Sequence, residues 1–497
     1  MRKQILFILS TFALLMYPLS LSAQDSTAGD QALTPDFDGD GQVGFPDFLA
    51  FAGQFGARQG DERYDARYDL DGDGEIGFSD FLIFSSSFGK GGDEVALVVI
   101  PDGNLRAAIE DILGKSSGAP ITRVEMARVM RIEARNANIR DLTGLEFAPR
   151  LTFLDFGDET VEGQSVNSNS ISDLTPLSGL TDLVYLYLTD NDITDVTPLS
   201  ALTNLEWLDL NDNSISDLTP LSGLTNLTLL RLSRNNITDV TSLSGLTNLS
   251  VLTLSFNIIT DVTPLSGLTR LGSLSLFSND ISDITPLSGL TRLGSLSLSF
   301  NGISDLTPLS GLTSLNRLYL SGNSLTDLTS LSGLTSLNRL YLNDNNITDV
   351  TPLSGLTSLT TLSLSVNNIT DVTPLSGLAN LTNLSLDRNI ISDITPLSRL
   401  TRLNRLILFT NSISDLSPLV ANTGLGTGDL VDVERNPLSA MSYQTHIPTL
   451  QDRGVIVLIG SSKPAVEKKE LLEIEGREIG YIYRRWMEEG KDVISSK

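Results

Sequence analysis

The chain has 497 residues, with 34 Lys+Arg against 60 Asp+Glu, one His and no Cys. The resulting charge of −26 argues against a nucleic-acid partner, because holding phosphates takes a basic surface. Without Cys there is no disulfide framework, thiolate zinc site or thiol nucleophile, and a single His, His446, cannot build a His metal cluster.

Residues 1–23 read as an address rather than as structure. Arg2 and Lys3 form a positive start, Ile5 to Tyr17 is almost wholly apolar, and Leu21-Ser22-Ala23 offers small residues for cleavage before Gln24. No later stretch approaches the roughly 20 apolar residues of a membrane-spanning helix. The expectation is a secreted or cell-surface protein with no transmembrane segment after signal cleavage.

Residues 24–93 form a separate module. Two segments match at a spacing of 33, Asp36-Phe-Asp38-Gly-Asp40-Gly41-Gln42-Val43-Gly-Phe45-Pro-Asp47 and Asp69-Leu-Asp71-Gly-Asp73-Gly74-Glu75-Ile76-Gly-Phe78-Ser-Asp80. This is the pattern of a 12-residue calcium loop. Carboxylates at positions 1, 3 and 5 converge on one hard cation, Gly41 and Gly74 allow the sharp turn, and Asp47 and Asp80 close the shell. The backbone carbonyls of Gln42 and Glu75 supply position 7. Two bound Ca²⁺ ions are expected. Val43 and Ile76 are expected to pair the two loops through a short strand contact. After each loop, Phe48, Leu49, Phe51, Ala52 and Phe55, then Phe81, Leu82, Phe84 and Phe88, are spaced to put an apolar stripe on a helix. A loop followed by one helix, duplicated, with Asp at position 12, resembles the dockerin module of secreted polysaccharide-degrading systems. The resemblance implies a cohesin-like partner, although the residues before each closing Asp, Phe45-Pro46 and Phe78-Ser79, depart from the small hydroxyl or aliphatic pairs common in that family.

Residues 94–150 are expected to cap a repeat array, with an amphipathic helix over Asn104–Leu113 ended by Gly114, a second short helix near Val124–Val129 and a first strand around Ile132. Residues 151–420 repeat the frame L-x-x-L-x-L-x-x-N-x-[IL]-[ST]-D every 22 residues, with Asn at 169, 191, 213, 235, 257, 279, 301, 323, 345, 367, 389 and 411. This is the leucine-rich repeat pattern, and it resembles the bacterial surface class typified by internalins. The fold expected is an α/β solenoid: a leucine-rich repeat horseshoe with a parallel sheet inside and 3₁₀ turns on the convex side, preceded by the small all-α calcium module. In each coil the strand Leu point inward and the Asn satisfies turn amides. The hydroxyl of Thr197 and its equivalents caps the 3₁₀ turn, and each Asp of the ladder at 195, 217, 239 and 261 caps local backbone. The Ile139 to Ile171 spacing is 32, which places a ten-residue excursion near Gly157–Val166. Residues 421–460 close the array, and 461–497 form a charged tail, either a docking peptide or a frayed end.

Strand residues between the inward Leu face outward and are the expected solvent-exposed binding surface. The candidates for holding a ligand on the concave face are Tyr185, Tyr187, Trp207, Arg317, Tyr319, Arg339, Tyr341, Arg405 and Phe409, because aromatics and Arg dominate protein hot spots. Ser297 is expected to face solvent on the same surface. His446 reads as a structural residue of the cap, and no catalytic constellation stands out, so an enzyme is not expected. The function expected is a non-catalytic calcium-binding repeat protein with a protein or glycan ligand. The alternative is a non-catalytic component of a dockerin–cohesin type assembly.

Overall fold

The computed structural model describes residues 34–91, 96–157 and 168–460. The expected signal segment, most of the Gly157–Val166 excursion and the 461–497 tail lie outside the described residues. Among these residues, strands of three residues each form one 15-stranded parallel sheet in strict chain order, from β1 (Arg131–Glu133) to β15 (Ile456–Leu458). The chain divides into two compact units, one ending at Leu271 and the other starting at Gly272. No helix among the described residues is long and apolar enough to cross a membrane.

The first unit opens with the module of the two Asp-rich loops. Helices α1 (Phe45–Gln54) and α2 (Phe78–Ser87) start where each loop ends. Phe51 and Phe84 are buried and stack at 5.5 Å, with Phe37 over both. The apolar stripe is narrower than the spacing suggests: Leu49 and Leu82 point out, 57% and 53% exposed, and Ala52 is exposed as well. Val43 and Ile76 are in the core but do not pair with each other. Val43 exchanges backbone hydrogen bonds with Lys90 and Gly89, beyond α2, while Ile76 exchanges them with Ala57 and Gly56, beyond α1. The helices end at Gly56 and Gly89, whose φ of 83° and 84° turns the chain back under the opposite loop. Each half therefore closes the other half's loop. Leu97 joins this core, and the bridge Leu97↔Thr122 ties it to the cap of the array.

The cap helix α3 (Gly103–Leu113) is held by Asp102, whose Oδ1 accepts from the N–H of Asn104 and Leu105. Its Oδ2 accepts from Arg140 and Asp141 N–H, so one carboxylate fixes the helix to the first coil. The short helix α4 (Arg123–Met126) starts at Thr122 with Glu125 completing a capping box. Coils then repeat without change of register. In the coil of β3 (Tyr185–Tyr187), Leu183, Leu186, Leu188, Ile193, Val196, Leu199 and Leu202 are all essentially inaccessible to solvent. Each such Leu removes enough apolar surface to favour folding by about 1.5–3 kcal/mol before the entropy of ordering is subtracted.

Two polar devices recur. Each ladder Asn bridges two coils: Asn191 Oδ1 accepts from Ile171 N–H one coil earlier, while its Nδ2 donates to Leu188 O in its own coil and Phe156 O in the previous one. The residue before each Asn has a left-handed backbone, with φ between 52° and 59° from Asp190 through Thr410 except at Gly322, where it is 64°. The 3₁₀ turns are capped differently from expectation. The residue at the cap position is apolar, as Val196 is, and gives no side-chain hydrogen bond. The Thr hydroxyl is not the cap; Asp195 Oδ1 accepts from Thr197 N–H at 2.8 Å, and the pattern repeats at Asp217, Asp239, Asp283 and onward.

These carboxyls are held below their ordinary 3.8 by the hydroxyl and then the backbone N–H of the Thr two residues on, with Ser417 in that role for Asp415. A group with a depressed folded value stabilises the fold above its unfolded value and loses that contribution as pH falls through the folded one. The expected result is a thermal midpoint that declines below about pH 3.8, and declines less steeply when Asp195, Asp217, Asp239 and Asp305 are all changed to Asn, which keeps the acceptor without titrating. Parallel curves for parent and variant would break the link.

The second unit continues the same coils and ends with β14 (Leu430–Asp432) and β15. A further bridging residue appears there: Asn436 Oδ1 accepts from Ile413 N–H, and its Nδ2 donates to Leu408 and Val433 carbonyls. It follows Asn411 by 25 residues rather than 22, which is why the regular frame does not find it.

Candidate functional site

Two places carry chemistry beyond packing. In the first, Asp36, Asp38 and Asp40 bring carboxylate oxygens within 4.8 Å of one another, and Asp69, Asp71 and Asp73 do the same. Gly41 and Gly74 have φ of 87° and 83°, the turn that lets the loop fold back on itself. Asp47 and Asp80 are fully buried at the start of the helices. Asp47 Oδ1 accepts from Phe37 and Asp38 N–H and its Oδ2 from Gly44 N–H; Asp80 does likewise with Leu70, Asp71 and Gly77. Burial pushes the carboxyls of Asp36 and Asp80 up, and the nearby charges of Asp47 on the one and Asp71 on the other push the same way. Tyr64 donates to Asp69 Oδ2 at 2.6 Å, and that bond holds its phenol up to about 12. The Glu75 side chain pairs with Arg58 at 2.9 Å, and Gln42 is exposed, in keeping with a backbone role at position 7. A dense, oxygen-only donor set with mutually repelling charges fits a hard cation such as Ca²⁺.

The second place is the outward face of the sheet. Tyr185 and Trp207 are half-buried and meet edge to face at 5.5 Å. Tyr185's phenol is pushed up by burial and by Glu206. Phe153 on β2 (Phe153–Asp155) contacts both Tyr185 and Tyr187, and Arg131 lies over its ring at 3.4 Å. Phe153 was not a sequence candidate; it lies in the coil that the 32-residue spacing interrupts. In the second unit, Tyr319 and Tyr341 stack in parallel at 4.9 Å. Arg317 and Arg339 are half-buried, Arg405 is exposed, and Phe409 is half-buried beside Arg388.

Several candidates are far less accessible than expected. Tyr187, Tyr319 and Tyr341 are 4%, 3% and 8% exposed, and Ser297 is 4% exposed. They do face outward, but parallel strands stand only about 4.8 Å apart, so side chains in register cover one another. Of the aromatic candidates, those within reach of solvent are therefore Tyr185, Trp207 and Phe409.

His446 offers no relay. Its Nδ1 lies 3.4 Å from both Ser442 Oγ and Asp415 Oδ1, so both contacts use one ring nitrogen, and Ser442 is buried with its hydroxyl donating to Ser414 O.

The coil geometry has counterparts in known proteins. A model of leucine-rich repeats in tandem pairs matches residues 203–267 and 291–399 through overlapping copies. An internalin from Listeria monocytogenes is 34% identical over 66% of this chain and 94% of its own, with a TM-score of 0.61. The chain belongs to the internalin-like leucine-rich repeat proteins. The functional domain of InlJ from Listeria monocytogenes, which includes a cysteine ladder, superposes with a TM-score of 0.57 at 24% identity over 71% of this chain and 78% of its own. A leucine-rich repeat protein of Leptospira interrogans gives 0.56 at 22% identity over 67% of this chain and 97% of its own. At those identities the likeness concerns the fold. This internalin-like chain has no Cys and carries a ladder of Asn. No curated protein matches it. Leucine-rich repeat proteins are typically non-catalytic, protein-binding scaffolds, and the family membership points the same way here.

Proposed function

We propose that this is a secreted or cell-surface protein, calcium-loaded in its N-terminal module, that holds a protein ligand on the outward face of its repeat sheet. The observation that carries the reading is the half-exposed aromatic group of Tyr185 and Trp207, backed by Phe153 and Arg131. Aromatic side chains that are partly desolvated on a rigid scaffold are good anchors, because little entropy is lost when they are covered. Internalin-like relatives and the signal-like first 23 residues support export. Changing Tyr185 and Trp207 together to Ala is expected to leave the melting midpoint nearly unchanged and to weaken capture of the native partner by more than about 2 kcal/mol. An equal yield of the same partner from parent and variant would remove this face as the site.

The two Asp triads support calcium in the module. Bound Ca²⁺ would neutralise carboxylates that otherwise repel one another, and Asp36, Asp38, Asp40 and Asp47, with their counterparts Asp69, Asp71, Asp73 and Asp80, would hold it. Titration calorimetry on the full chain should reveal two sites with affinities somewhere around 10⁻⁶–10⁻³ M. Both should vanish in Asp36→Ala/Asp69→Ala, and an absence of calcium heat in the parent refutes the assignment.

A second reading, docking into a larger assembly through the module, rests on a separate observation. Phe45 and Leu49 on one helix and Phe78 and Leu82 on the other are each at least half exposed, in equivalent positions of the two halves. Phe45→Ser/Phe78→Ser should then lose a cohesin-like partner while the Tyr185/Trp207 variant keeps it.

A further inference from the structure

The two ends of the sheet are finished differently. At β1 the outward positions carry Arg131 and Glu133, which pair with each other, and the cap helix α3 packs against the strand. Charged side chains and a covering element are the usual protection of a strand that has a neighbour on one side only. At β15 the charge is missing. The strand reads Ile456-Val457-Leu458, and Ile456 and the following Ile459 are 53% and 42% exposed. Val457, which points inward, is 9% exposed, whereas the inward residues at the centres of the other strands are at most 1% exposed. The backbone edge is open as well. Ile456 N–H donates to Asp429 O, and Leu458 O accepts from Val433 N–H, so these two residues face β14. In a parallel ladder successive residues bond to opposite sides, which turns the N–H groups of Val457 and Ile459 away from β14. β15 is the last strand of the sheet among the described residues.

The chain continues from this edge, and its sequence keeps the spacing of the coils before it. Gly428 and Gly454 each stand two residues ahead of a strand with φ of 87°, and Gly428 N–H donates to Gly454 O, coil to coil. A methyl group at Gly454 would come within 2.9 Å of Thr427 Cα, so the position requires Gly. The two are 26 residues apart, and Gly480 follows after another 26. Two residues past Gly480 the sequence reads Ile482-Tyr483-Arg484, in the places of Leu430-Val431-Asp432 and Ile456-Val457-Leu458. From Leu458 to Ile482 there are 23 intervening residues, the same number as between β14 and β15 and enough for the crossover that parallel strands need.

We propose that residues 482–484 of the C-terminal tail dock on β15 as a further parallel strand and close the sheet from within the chain. In that register Ile482 N–H donates to Val455 O, as Ile456 N–H does to Asp429 O one coil earlier. Ile482 then lies beside Ile456 on the outward face and covers it. Tyr483 takes the inward place next to Val457, where a ring fills the end of the core while its hydroxyl reaches water. An open apolar edge is a template for any extended chain. A strand supplied by the tail reaches it at an effective concentration that a separate molecule does not match. The place of Gly480 favours the tail over a second copy as the occupant, because pairing with a second copy needs no such spacing.

Hydrogen exchange on the full chain, read amide by amide, tests the docking. The amides of Val457 and Ile459 and those of 482–484 are expected to exchange at least about tenfold slower than unstructured chain, with light scattering giving the mass of a monomer. Ile482→Pro deletes the N–H that would bond β15 and should free both sets of amides together, while the coils up to β14 keep their protection. Val493→Pro, further along the tail, is the control and should change neither set. Exchange of 482–484 at the unstructured rate in the parent overturns the proposal, as does an Ile482→Pro variant whose Val457 and Ile459 stay as slow as before. A dimeric mass whose dilution to monomer frees Val457 and Ile459 overturns it too, and makes a second copy of this chain the occupant.

Discussion

Gly424→Ala should be among the most damaging single substitutions in the chain. A methyl group built there would overlap the backbone carbonyl of Thr401 in the preceding coil, and backbone cannot step aside as a flexible side chain can. The same segment is pinned by Asn422, fully buried, whose Nδ2 donates to the carbonyls of Leu397 and Leu400 and whose Oδ1 accepts from Gly424 N–H. Relief therefore requires the last coils to move off the array, at a cost of about 3 kcal/mol or more. Gly426→Ala is the control, since its nearest contact, Arg453 O, lies at an ordinary 3.9 Å. Hydrogen exchange should reveal early opening of β14 and β15 in the first variant alone. Equal protection in both would mean the close approach is not a constraint.

Asn301→Leu should follow closely. Asn301 Oδ1 accepts from Ile281 N–H, and Nδ2 donates to Leu276 and Leu298 carbonyls at 3.0 Å each. Leu has nearly the same size and none of the polar atoms, so backbone groups of two coils lose their partner at once. At about 1–3 kcal/mol for each orphaned group, not fully additive, the loss should reach about 3 kcal/mol. Ser297→Ala, in the same coil, should fall within about 0.5 kcal/mol of the parent or slightly above it, because the deleted hydroxyl is buried without a partner among the described residues. Denaturant melts separate the two, and comparable losses would show that the Asn carries no special weight.

The repeat sheet is legible in the sequence because every coil writes the same residues at the same places. Twelve Asn in register leave no other arrangement for Leu186 or Leu188 than inward. Where the period breaks, so does that legibility. Phe153 escapes notice inside the interrupted coil, and Asn436 escapes because three extra residues, in the stretch that contains Gly424, displace it from the frame. Periodicity also tells which way Tyr187, Tyr319 and Tyr341 point without telling how crowded that side is; crowding depends on the neighbouring strands' side chains, not on the strand itself. The two Asp-rich loops are legible as a donor pattern, since three Asp and a turn Gly must lie close in sequence to converge. The partner of Val43 is not. It pairs beyond α2, at Lys90, and only the placement of Gly56 and Gly89 sends each chain end under the other loop. Both glycines are visible in the sequence, but the direction they impose is a property of the folded pair.

Because a bridging Asn such as Asn345 bonds both within its own coil and to the coil before, the array has a unit of length. Remove 22 residues, such as 315–336, and Asn345 finds at Ile303 and Leu298 the same donor and acceptor it left at Leu325 and Leu320. Remove 11, and the seam offers a mismatched edge. Descendants of this chain can thus grow or shrink by whole coils through unequal crossover between near-identical repeats, and selection will see mainly the change in reach.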